Sequence, residues 1–69
     1  MTRYEFIKRE IELCATSHFP AGQLAYTRGL LAMAEMDCTV TPGESIRLMA
    51  DIMAQDKAHT DKILGRTAP

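Results

Sequence analysis

No tryptophan occurs in this chain, and two phenylalanines and two tyrosines make up its whole aromatic complement. A core built on large aromatic side chains is therefore excluded. The two cysteines, Cys14 and Cys38, are too few for the disulfide frameworks that staple small secreted folds. No basic stretch followed by a short apolar run precedes the first amphipathic segment, so a secretory leader is not expected. Together these two absences point to a reducing, cytoplasmic setting. The longest mostly apolar run, Gly29 to Ala34, falls far short of the roughly 20 residues that a membrane span needs. An excess of one charge is missing as well. Eight basic and nine acidic residues leave a formal net charge of -1, and they are interleaved, which removes the basic field that nucleic-acid binding draws on.

What is present is an apolar fraction of 46%, enough for a core and too much for disorder. The 69 residues bound the chain to a single domain, 1–69. A domain this short buries only about 60% of its unfolded surface, so disulfides, a metal or self-association commonly supply the missing stability.

Periodicity and caps place three helices. Thr2-Arg3-Tyr4-Glu5 has the form of a capping box, and Tyr4, Ile7, Ile11 and Cys14 follow at helical spacing, which predicts a helix over 3–17. Phe6 and Leu13 form a second apolar row on it. Pro20 suits the first position of a second helix, over 20–36, where its missing N–H costs nothing. In that helix Ala21, Ala25 and Gly29 make a row of small side chains against which a neighbouring backbone could pack closely. Thr41-Pro42-Gly43-Glu44 is a second capping box and opens a helix over 42–64, with Ile46, Met49, Ile52, Met53, Ile63 and Leu64 in period and Gly65 as its stop. The tail, 65–69, is expected to fray. The fold class is all-α, three helices.

Helix lengths add a further expectation. At 1.5 Å per residue the third helix spans roughly 33 Å and the others only about 22 to 26 Å, so Ile63 and Leu64 overhang. One copy can hardly cover that end together with Phe6 and Leu13, so a homo-oligomer or a protein partner is expected.

Cys14-Ala15-Thr16-Ser17-His18-Phe19-Pro20 looks most like chemistry. Cys14 and His18 stand four apart and, with Cys38 and His59, give four side chains of the types that bind zinc. The spacing does not follow, because structural zinc sites pair ligands two to four residues apart in both halves. No metal and no cofactor is expected. A Cys–His nucleophile would need an orienting group, oxyanion donors and a pocket, and no triad, glycine-rich phosphate loop or carboxylate dyad appears, so no catalytic residue is assigned. Helices two and three could be drawn as a helix-turn-helix, and a dimer could gather Arg3, Lys8, Arg9 and Arg28 into a weak DNA-binding face. That is the alternative reading, and nucleic acid is disfavoured because Arg47 is the lone cation at the reading end, beside Glu44.

A small interaction module accounts for more of the residues. Tyr26, Arg28 and Phe19 are candidate anchors, since aromatic and arginine side chains dominate interface energetics. Phe6, Leu13, Ile63 and Leu64 complete the candidate contact surface, and Met33, Met36, Met49 and Met53 are adaptable side chains beside it or in the core. Finally, Thr41-Pro42-Gly43-Glu44-Ser45-Ile46-Arg47-Leu48-Met49, following a helix that closes in Ala34-Glu35-Met36, resembles the helical hairpins of short phage- or prophage-encoded accessory proteins. That resemblance implies a protein that binds a host factor and inhibits or redirects it.

Overall fold

Both capping boxes form. In the computed structural model, which describes residues 1–65, the Glu5 amide donates to Thr2 Oγ1 at 3.1 Å and the Thr2 amide to Glu5 Oε1 at 3.0 Å. Thr41 and Glu44 repeat the exchange at 3.1 and 2.8 Å. These reciprocal bonds satisfy backbone donors that a helix start leaves without partners, and they open α1 (Arg3–Glu12) and α3 (Pro42–Ile63). The Thr2 backbone amide, donating to Glu5 Oε1, is the main cause that holds the Glu5 carboxyl below the ordinary glutamate value, with the Thr2 side chain adding to it.

The first helix ends earlier than its periodicity predicts. After Glu12 the chain tightens into a 3-10 turn, Leu13–Ala15, closed by the Thr16 amide donating to the Leu13 carbonyl at 3.2 Å. The physical reason lies ahead of it. Pro20 opens α2 (Pro20–Met36), and the chain must reverse between Cys14 and that proline, so the last expected turn of helix is given up to the reversal.

At its other end α2 stops in a Schellman arrangement: the Thr39 amide donates to the Ala34 carbonyl and the Cys38 amide to that of Glu35. Cys38 takes the left-handed position of that motif, at φ 54°, where glycine is the usual residue. Gly65 follows the C-cap Leu64 at φ 71°, as its position after α3 predicts. Of the tail expected at 65–69, residues 66–69 lie outside the described residues.

The helices run up, down and up. Arg28 Nη2 of α2 meets Asp56 Oδ2 of α3 at 3.1 Å, and Ser45 of α3 donates to Glu35 of α2, so α2 and α3 are antiparallel. Gln23 of α2 donates to the Glu10 carbonyl of α1 at 2.8 Å. Between them lie Ile7, Ile11, Cys14, Leu24, Leu31, Ala34, Leu48 and Ile52, all buried, with Tyr4, Leu30 and Val40 packed at the edge. Thr27 is the buried polar residue in their midst, and its hydroxyl is satisfied by the Leu24 carbonyl at 2.8 Å. The radius of gyration, 12.5 Å, exceeds the roughly 11 Å of a compact 69-residue domain, because α3 draws the long axis out to 38 Å. No helix among the described residues is long and apolar enough to cross a membrane.

Two sequence expectations about packing are overturned. The inward stripe of α3 is Leu48 and Ile52, whereas Ile46, Met49 and Met53 face solvent. The row Ala21, Ala25 and Gly29 is also turned outward, and a Cβ added at Gly29 would meet nothing within 4 Å. In both cases the side of a helix that meets its neighbours is decided by tertiary pairing. Gly29→Ala is therefore expected to raise stability by about 0.5 to 1 kcal/mol, through helix propensity alone, read as a higher midpoint in a thermal melt monitored by circular dichroism.

Candidate functional site

The Gln23–Glu10 hydrogen bond locates the surface on which the sequence candidates meet. Phe6 lies four residues before Glu10 and Leu13 three after it, so both share its flank of α1. Phe19 lies four before Gln23 and Tyr26 three after it, which puts them on the matching flank of α2. Because the helices are antiparallel, Phe6 comes level with Tyr26, and Leu13 with Phe19. All four are exposed, Phe19 at 71%, with the half-buried Leu30 and the exposed Met33 continuing the α2 row. The result is an exposed face along the α1/α2 seam that carries three of the four aromatic side chains, Phe6 and Tyr26 towards one end and Leu13 and Phe19 towards the other, with the Gln23–Glu10 pair between them.

Phe19 itself is held by its surroundings. It is the N-cap of α2 yet offers no capping side chain, and its amide donates to Ser17 Oγ at 3.0 Å. Its ring lies over Gly22, where an added Cβ would come within 2.5 Å of a ring carbon. A glycine at that point of the helix gives the aromatic its seat.

The other candidates stand elsewhere. Arg28 belongs to the α2/α3 seam and is engaged by Asp56. Ile63 and Leu64 are exposed, 68% and 56%, at the overhanging end of α3. The sequence candidates thus divide into an α1/α2 group and an α3 group, with Arg28 beside the second. Ile46, Met49 and Met53 join the α3 group; the sequence placed them in one period with Ile52 and left Met49 and Met53 open between core and contact surface, and the observed pairing of α2 with α3 turns all three outward.

The Cys/His set is divided too. Cys14 and His59 line one hollow of about 240 Å³ at the α1–α2 joint, with Ser17, Gln55 and Lys62, whereas Cys38 sits in the α2–α3 connection at the opposite end. Among the described residues no three His, Cys, Asp or Glu side chains come together as a metal site. Burial pushes the Cys14 thiol up from its ordinary value, which works against the thiolate that a nucleophile requires. A thiol reagent should label one cysteine per native chain rapidly, the exposed Cys38, and reach buried Cys14 only on unfolding. Mass spectrometry of a labelling time course would show equal rates at both if the burial of Cys14 were wrong.

Compared with family models, curated proteins and solved structures, the chain matches none of them. Its functional reading therefore stands on geometry.

Proposed function

We propose that the chain is a non-catalytic protein-binding module that self-associates and inhibits or regulates a protein partner, in the manner of the phage-type accessory proteins that its α2–α3 hairpin resembles. One observation carries the reading: Phe6, Leu13, Phe19 and Tyr26 share an exposed face along the α1/α2 seam. Aromatic anchors on an exposed face are what protein interfaces use, and large apolar side chains left open together mark places where something docks. Flexible Met33 at the border would let the face adapt to its occupant.

The test is affinity capture from a host extract with the native chain and with a Phe19→Ala/Tyr26→Ala variant as baits. One protein recovered in stoichiometric amount by the native chain and lost with the variant is the expected result. Equal recovery with both overturns the assignment of this face. Retardation of DNA by the native chain at low salt, abolished as salt rises, would support a DNA-binding regulator instead.

A further inference from the structure

We propose that the outer stripe of α3 pairs antiparallel with the same stripe of a second copy. This names the face and the occupant for the self-association in the function proposed above, and it makes no use of the α1/α2 seam.

Ile46, Ala50, Met53, Lys57, Thr60 and Leu64 follow one another at alternating steps of four and three residues, the spacing of a coiled-coil seam. All six are exposed, Ile46 at 72% and Met53 at 63%, because the bundle takes Leu48 and Ile52 for its own core. The stripe runs along about 27 Å of helix. Beside it α2 presents Ala25 and Ala32, three before and four after Arg28, and these short exposed side chains leave room for an approaching helix.

The order of residues along the stripe fits a reversed copy of itself. Set antiparallel about its middle, Ile46 falls opposite Leu64 of the second copy, Ala50 opposite Thr60, and Met53 opposite the aliphatic stem of Lys57. On one flank Met49 then meets Ile63 of the second copy, so the overhanging end of α3 is covered by the start of its counterpart. On the other flank Arg47 comes within a turn of Asp61 of the second copy, where it would join the Lys57 ammonium that already pairs with that carboxylate at 2.8 Å within its own helix. At the centre the two Asp56 carboxylates approach, and each already carries its Arg28 guanidinium at 3.1 Å, which keeps the group neutral. A parallel pairing has none of these matches and would set Lys57 against Lys57.

Light scattering and sedimentation equilibrium over a concentration series test the assembly. The native chain should approach twice the chain mass as concentration rises. Met53→Asp, at an exposed position, should keep the native helical circular dichroism and sediment as a monomer. Register and direction are read by disulfide trapping in a Cys38→Ser background: Ala50→Cys mixed with Thr60→Cys should give the mixed cross-link, and neither should cross-link with itself. A native chain that stays monomeric, a dimer that survives Met53→Asp, or self-cross-linking of Ala50→Cys would each overturn the pairing. None of these outcomes touches capture of a partner through Phe19 and Tyr26, so the two readings fail separately.

Discussion

Ile52→Ala is expected to leave the chain largely unfolded at 25 °C. Ile52 has no accessible surface and sits midway along α3 in the core that all three helices share. Removing a buried Ile or Leu side chain down to alanine costs about 2 to 5 kcal/mol, the transfer free energy of the lost carbons plus the cavity left behind. A domain below roughly 70 to 80 residues seldom has more than about 3 to 5 kcal/mol in total. One truncation therefore consumes most of the margin, and no disulfide is present to restrain the unfolded chain. Ile52→Val removes one methylene, costs about 0.5 to 1.5 kcal/mol and should remain folded with a lowered midpoint. Lys62→Ala, at an exposed position of the same helix outside the proposed dimer stripe, is the control for helix propensity. Thermal melts of the three variants at one fixed concentration decide the matter, since self-association makes the midpoint concentration-dependent. An Ile52→Ala melt that coincides with the native one would show that the inward face of α3 has been assigned wrongly.

Loss of partner binding in Phe19→Ala/Tyr26→Ala is the second large effect expected. Anchors at the centre of an interface are worth about 2 kcal/mol or more each, so either truncation should weaken a complex by roughly 30-fold and the pair by far more. Neither residue is buried in the bundle, so the melting midpoint should hardly move. Gly22→Ala separates contact from fold in a different way. The new methyl would land 2.5 and 2.6 Å from two ring carbons of Phe19, and the exposed ring can swing clear. Stability should stay level or rise by up to about 1 kcal/mol through helix propensity, while binding that needs the seated ring falls. Binding unchanged in both variants, measured by calorimetry with the captured partner, would remove this face from the interaction.

The features legible in the sequence are those whose physics is local. Thr2 with Glu5, Thr41 with Glu44, proline at the first helical position of α2 and α3, and Gly65 after α3 each concern a backbone group and a side chain within a few residues. The inward stripe of α1, Ile7, Ile11 and Cys14, was equally legible, because its outward positions are charged. On α3 the same reasoning put Ile46, Met49 and Met53 in one period with Ile52 and passed over Leu48, because a 3.6-residue period through a helix with apolar side chains on several sides does not rank them. Arg28 and Glu35 of α2 do, by drawing Asp56 and Ser45 to their side. The shortening of α1 was hidden for a related reason: no glycine or proline lies between Glu12 and Ser17, and the turn is imposed by Pro20 from downstream. For the candidate contact surface, exposure of Phe19 and Tyr26 could be anticipated, but their alignment with Phe6 and Leu13 depends on the level at which Gln23 meets Glu10.

The up, down, up course of the helices also decides how the protein can be tethered. The start of α1 and the α2–α3 connection share one end of the 38 Å bundle, while the Phe19 joint and the close of α3 share the other. A fluorophore, surface linker or fused domain attached ahead of Thr2 would therefore be held most of a bundle length away from Phe19. The same cargo attached beyond Gly65 would crowd the aromatic joint and the Ile63–Leu64 end together. Immobilisation through the α1 end should preserve the Phe19 contact, and immobilisation through the other end should blunt it.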